Sequence, residues 1–236
     1  MADIETRSLP LINDDQDPQD KPVSIEFDTS YSAELKGPPS EGLFTDDSLP
    51  LTAARLNAVE SMLRLLTKNV KYGEFVREIL LIIMKVVTSE AGSILEVDQK
   101  SGNLFFRSVV GQSAERIAKF LIPMGKGIVG YVAESRQPLV VANVKENEVH
   151  LKSIQHAVGF ETRDLIAIPI VIRGKVYGVL ELLNRVGGDG YTPSDVENLT
   201  YLCDMAGRAI EIRLMLAWNN QSGSQTHQQQ GQGSAA

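Results

Sequence analysis

Few residues of this 236-residue chain are equipped for chemistry, and Glu181 is the most conspicuous of them. It sits in the run Val-Tyr-Gly-Val-Leu-Glu-Leu-Leu-Asn-Arg ending at Arg185, with Val179 and Leu183 two positions to either side. Residues two apart in a strand share a face, so the carboxylate stands on an apolar one. A buried acid needs a partner, because an unpaired charge away from water is costly. That makes Glu181 a candidate recognition group; an edge-facing or solvent-facing acid is the equally open alternative. Cys203 lies mid-helix on an apolar row, which suits an inert packed thiol. His150 and His156 are six apart in a polar stretch, and His227 lies near the end. No Cys/His group has the spacing of a zinc site, and neither a Gly-x-Ser-x-Gly elbow nor a Walker A loop occurs. Gly125-Lys126-Gly127 opens a helical run, and such a turn can cradle an anion. Without the Walker spacing, tight strand-to-helix packing explains these glycines as well. The inventory favours binding over catalysis, and no enzyme is expected.

The elements that must position Glu181 can be read from the pattern around it. Two β-rich runs meet at the turn Arg173-Gly174-Lys175, an antiparallel hairpin. Both faces of the second run are largely apolar, so it is a central strand covered on both sides. A helix start follows, with Thr192 as N-cap, Pro193 at the first position, and Asp195 and Glu197 in the first turn. This helix is expected to run to about Trp218 with two apolar rows. One is Val196, Leu199, Cys203, Ala206 and Ile210; the other is Leu202, Met205, Ala209, Ile212 and Leu216. A sheet can cover one row, so the second must meet another helix.

Upstream, Leu56, Val59, Leu63, Leu66 and Val70 form a two-heptad apolar seam from Thr52 onward. It suits a coiled coil or packing onto the chain's own sheet. Gly73 punctuates, and a second helix runs to about Ser89 with Phe75, Ile79, Ile82, Ile83 and Val86 facing inward. Strands are expected at 93–97, 103–110, 120–122 and 139–142, and a helix from Ile128 to about Ser135. Residues 145–158 read as a polar, partly helical lid.

Composition bounds the surroundings. The net charge of −7 is uneven: residues 1–50 carry 12 acidic and 3 basic side chains, leaving 18 acidic and 20 basic for the rest. An acidic arm on a neutral body argues against nucleic acid, since phosphate binding needs a basic patch. Six of the ten prolines also fall in residues 1–50, so this arm is expected to be disordered. Val23-Ile25-Phe27 and Leu43-Phe44 interrupt it, either as scattered residues or as docking motifs for a partner protein. The Gln/Ser/Gly-rich stretch 219–236 reads as a flexible tail. A single cysteine fits a reducing cytoplasm. No signal-like start and no span-length apolar run is present, so no membrane partner is expected.

The same hairpin carries a family resemblance. Gly159-Phe160-x-Thr162-Arg163, Pro169-Ile170, Asn184-Arg185, Tyr191 and Asp195 resemble a GAF domain, particularly those of cyclic-nucleotide phosphodiesterases and adenylyl cyclases. Ile122-Pro123-x-Gly125-Lys126-Gly127-Ile128-x-Gly130-x-Val132-Ala133-Glu134 extends the likeness, which covers roughly residues 70–215. It implies an α/β GAF fold: a central antiparallel sheet of about six strands, with terminal helices on one face and a helical lid on the other. The domain would occupy 51–218.

The resemblance implies a ligand site under the lid from Ser93, Val110, Val129, Asn143, His156, Phe160, Thr162 and Glu181, with a cyclic nucleotide as candidate ligand and no required cofactor. It also implies a structural brace of Asn184, Arg185, Tyr191 and Asp195. Departures stand beside it. Val110-Gly111 replaces the family's aromatic and Asp, losing base stacking and a hydrogen bond. His156 and Val158 replace a frequent Asp and Thr, and Val196 replaces the last Glu of the family signature. Two functions follow as expectations. One is a cytoplasmic, homodimeric small-molecule sensor in signal transduction, paired through helices 52–70 and 193–218. The other is a ligand-free dimerisation and docking scaffold.

Overall fold

The computed structural model describes residues 23–24, 53–111, 120–142 and 161–230, with side chains described for 53–111, 120–142 and 161–218. Helix α1 spans Ala53–Leu66 and α2 spans Tyr72–Val86. Strands β2 (Ser89–Val97) and β3 (Leu104–Val110) form the first hairpin. Strand β4 (Phe120–Ile122) leads into α3 (Gly127–Ser135). Then come β5 (Leu139–Val141), β6 (Leu165–Ile172), β7 (Lys175–Arg185) and α4 (Pro193–Gln230). A two-residue strand, β1 (Val23–Ser24), lies parallel to β4 at one edge. The sheet order is β1-β4-β3-β2-β7-β6-β5, and every pairing except β1–β4 is antiparallel.

Alternation along the strands sorts the core into two layers. Ile94, Ile166, Ile168, Ile170, Leu180 and Leu182 face α1, α2 and α4. Leu95, Leu104, Leu165, Ala167 and Val179 face the other way, against α3 through Ile128, Val129, Val132 and Ala133. Strand β7 is therefore covered on both sides, as its doubly apolar sequence requires. The lid segment 145–158 lies outside the described residues, so α3 is the described helix on that second face.

Several boundaries differ from expectation. Strand β2 begins at Ser89 rather than Ser93, because Ser89 and Ala91 already pair with Arg185 and Leu183 of the long β7. Gly73 sits inside the first turn of α2 rather than before it. Helix α4 continues past Trp218 to Gln230. Strand β1 falls within the arm expected to be disordered, where β4 leaves an edge for main-chain pairing.

Helix α1 packs on its own domain mainly through a row other than the seam. The residues it turns inward are Arg55, Ala58, Met62 and Leu65, while Leu56 and Leu63 are each 55% exposed. Helix α1 lies alongside α4 in parallel: Arg55 Nε donates to Asn198 Oδ1, and Arg213 Nη2 donates to the Val70 carbonyl. Both apolar rows of α4 are thereby covered within one chain over their first part. Leu202 and Ala209 of the second row are buried beside Leu199, Cys203, Ala206 and Ile210 of the first. Ala206 and Ala209 are thus buried within the chain's own core. Exposed apolar side chains resume at Ile212, Met215, Leu216 and Trp218.

Candidate ligand site on the α3 face

Glu181 points into the α3 layer, between Val179 and Leu183 on β7. Register places it opposite Ser93 on β2 and Ala167 on β6. The Ser93 hydroxyl donates to Glu181 Oε2 at 3.3 Å. Both residues are buried. Burial pushes the Glu181 carboxyl up to about 7, and the Ser93 bond pulls it only partly back. This is the desolvation case, in which loss of water disfavours the charged form. The result is a hydroxyl and a near-neutral acid side by side on an apolar floor, able to donate and accept at once.

The remaining predicted site residues divide. Val129 is buried in the same layer, on α3. Thr162 is buried just ahead of β6, at the point where the described chain resumes. Asn143, His156 and Phe160 lie outside the described residues. Val110 is a correction: it pairs with Gly92 and packs against the helix-side core, on the opposite face from Glu181. Opposed residues of an antiparallel pair share a face, so Val109, which pairs with Ser93, takes that place instead.

Glycines shape the site's border. Gly111 has φ +135°, and a Cβ there would stand 2.8 Å from Ala91 Cβ. The aspartate expected at this position from the family pattern thus has no room. A Cβ on Gly130 would come within 2.5 Å of the Pro123 carbonyl oxygen. The Gly125 amide donates to the Gly130 carbonyl, so the turn before α3 spends its backbone on close packing.

The residues that the resemblance implies as a brace make the following contacts. Arg185 holds Asp195 with Nε to Oδ2 at 2.9 Å and Nη2 to Oδ1 at 3.1 Å. Asp195 Oδ2 also accepts from the Thr192 amide and hydroxyl, while the Asp195 amide donates back to Thr192 Oγ1. This is a reciprocal cap on the first turn of α4. Burial alone would raise the Asp195 carboxyl, but the bonds from Arg185 and Thr192 outweigh it and hold it below the usual range. Tyr191 shares a hydrogen bond of 2.9 Å with Ser89. Asn184, at φ +57°, is the buried centre of a further network.

Two features escaped the sequence reading. Glu90 on β2 bonds both Asn184 and Arg163. Tyr72, Tyr177, Glu96 and Arg107 form a chain of polar contacts tying the start of α2 to the sheet. Neither set has a spacing signal, because its members are far apart in sequence and are brought together by strand register and by the packing of α2 on the sheet. Cys203 is buried, and burial pushes its thiol up, which leaves it unreactive. Among the described residues no group of His, Cys, Asp and Glu could hold a metal ion, and no helix is long and apolar enough to cross a membrane.

Comparison with known proteins gives a consistent picture. The family model described as a GAF domain matches residues 72–211. The probable 3',5'-cyclic phosphodiesterase pde-5 of Caenorhabditis elegans is 29% identical over 113 residues, which are 44% of this chain and 16% of that protein. The cone cGMP-specific 3',5'-cyclic phosphodiesterase subunit alpha' of Mus musculus is 32% identical over 93 residues, 39% of this chain and 11% of that one. The chain thus spans only a small part of the curated relatives it matches. Among solved structures, the GAF domain of A. aeolicus nlh2 in an inactive state superposes with TM-score 0.55 at 22% identity, covering 71% of this chain and 99% of that one. The free methionine-R-sulfoxide reductase of Neisseria meningitidis, an enzyme in complex with its substrate, gives TM-score 0.54 at 16% identity, covering 71% and 96%.

Proposed function

Because this chain belongs to the GAF domain family, we propose that it is a non-catalytic signalling module that senses a small molecule on the α3 face of its sheet. The observation that carries this reading is the buried Ser93–Glu181 pair. A side-chain acid set among Leu95, Val179 and Leu183 raises the free energy of the empty state, and a ligand offering complementary hydrogen bonds lowers it. Among the described residues only Ser93 is shown bonded to that acid; an aliphatic residue would pack there at less cost. The solved neighbours that are methionine sulfoxide reductases are enzymes, but the lone thiol here is buried on the helix side of the sheet. The chain is taken to act in the cytoplasm, where a lone free thiol is stable, and not on nucleic acid or a membrane.

Cyclic nucleotides are the first ligands to test, since the curated relatives act on them. Titration with cyclic GMP and cyclic AMP, followed by calorimetry, is the direct experiment. Saturable binding that Thr162→Val and Glu181→Gln both weaken supports a nucleotide; no heat up to millimolar concentration rejects cyclic nucleotides as the ligand.

The signal is taken to leave through the terminal helices of a homodimer. Leu56 and Leu63 on α1 and Ile212, Met215 and Leu216 on α4 are large apolar side chains left exposed by one subunit. The same surface supports the second reading, a ligand-free dimerisation and docking scaffold. Val110 facing away and Gly111 closed to an acid favour that reading over a nucleotide sensor. A ligand that protects the α3 face decides between them.

A further inference from the structure

Thr162 lies where the chain re-enters the described fold, and a single carboxamide holds both peptide groups that flank it. Asn184 Nδ2 donates to the Glu161 carbonyl at 2.9 Å, and the Arg163 amide donates to Asn184 Oδ1 at 2.7 Å. Each peptide group is planar, so fixing the one before and the one after Thr162 sets its φ and ψ, and with them the direction of its side chain. Asn184 Nδ2 makes a second bond, to Glu90 Oε2 at 2.8 Å, and Glu90 Oε1 in turn takes Arg163 Nη2 at 2.8 Å. Asn184 is 1% exposed and left-handed at φ +57°, a conformation that Asn tolerates and most residues do not.

The backbone of the same residue continues the network. The Asn184 amide donates to the Asp164 carbonyl at 2.9 Å, and the Arg185 amide donates to Asp164 Oδ1 at 2.9 Å. The Arg185 guanidinium grips Asp195 in the first turn of α4. Contacts therefore run without a gap from the two peptides of Thr162, through Asn184 and Asp164, to Arg185 and the start of α4.

We propose that Asn184 is a positioning residue: it orients Thr162 and couples that seat to the corner from which α4 departs. The proposal rests on the ligand-site reading for its biological use, because Thr162 is the group it aims. Its physical content is separate from any ligand. A shift at Glu161–Arg163 must either break the carboxamide bonds or move β7's end, and Arg185 carries that movement to Asp195.

Amide hydrogen exchange on the full chain tests this without a ligand, so the outcome is independent of whether cyclic nucleotides bind. Asp195→Asn keeps the side chain's size and weakens the Arg185 grip. The Arg163 amide, twenty or more residues away in sequence, is expected to exchange about tenfold faster, together with the first turn of α4. Asn184→Gly suits the left-handed backbone and removes the carboxamide along with its Cβ. In that background the Arg163 amide is expected to be fast already, with Asp195→Asn adding nothing there, a non-additivity that mere structural support would not produce. Loosening confined to α4 in Asp195→Asn overturns the proposal, as does a fully protected Arg163 amide in Asn184→Gly. Should the glycine variant unfold, the Asp195→Asn measurement decides alone, since Asn184 is intact in it.

Discussion

Ser93 and Glu181 face each other across β2 and β7, and the serine hydroxyl donates to Glu181 Oε2 at 3.3 Å on an otherwise apolar surface. One hydroxyl offsets only part of the desolvation of a carboxylate, so the folded state holds the proton up to about pH 7. The unfolded chain releases it in the ordinary glutamate range. Between those two pH values the folded state binds more protons, so stability must fall as pH rises through that window. The loss reaches roughly 3 kcal/mol once the acid is ionised in both states. Glu181→Gln has no such proton to lose. Melting curves from pH 4.5 to 8 should show the glutamine variant gaining on the wild type as pH rises. Parallel curves across that range would mean that Glu181 is solvated.

The Arg185–Asp195 pair works with the opposite sign. The Asp195 carboxyl is held below its usual range, so its stabilisation is present at neutral pH and fades as pH falls through the acid range. Asp195→Ala removes the bidentate pair and the reciprocal cap with Thr192 together. A loss of about 1–2 kcal/mol is expected at pH 7. Chemical denaturation reads it, and an unchanged midpoint would show that the brace contributes nothing.

Backbone crowding gives a third prediction. A Cβ at Gly130 meets the Pro123 carbonyl oxygen at 2.5 Å, and a main-chain atom in a turn cannot step aside as a side chain would. Gly130→Ala should destabilise by about 1–3 kcal/mol despite the better helix propensity of alanine. A stabilised variant would mean that the turn before α3 is looser than the structure has it.

Much of this architecture was legible in the chain. The doubly apolar run of β7, its hairpin turn and the Thr-Pro-x-Asp helix start each carry a local signal with one physical cause, and each formed as read. Glu181 was legible because a carboxylate between Val179 and Leu183 contradicts its own strand pattern. The faces of residues set by register were harder. Val110 and Val109 are indistinguishable in sequence, and a bulge between Ile94 and Leu95 shifts the pairing that would have told them apart. In α1 the heptad pattern selected Leu56 and Leu63, whereas the domain takes Ala58, Met62 and Leu65. Both are apolar rows on one helix, and only tertiary packing chooses between them. Asn184 read as a brace residue, but its clamp on Glu161 and Arg163 joins positions 21 and 23 residues away, beyond any local rule.

The exposed row on α1 carries the fourth prediction. Fully burying an exposed leucine stabilises by roughly 1.5–3 kcal/mol; Leu56 and Leu63 at 55% and Ile212 and Leu216 at 41% and 44% exposure would each add roughly half of that on pairing, a contribution that works against the cost of association. The wild-type chain should sediment as a dimer at tens of micromolar. Leu56→Glu with Leu63→Glu should give a folded monomer, since neither side chain supports its own core. A wild-type monomer at that concentration would remove the dimer from the proposed mechanism.

The central claim is that the Ser93–Glu181 face holds a small molecule, and native mass spectrometry of the freshly purified full chain tests it most directly. The account predicts a population carrying a discrete added mass, lost or diminished in Glu181→Gln while the variant remains folded. A bare chain mass that no cyclic nucleotide shifts, with identical spectra for wild type and Glu181→Gln, would contradict it.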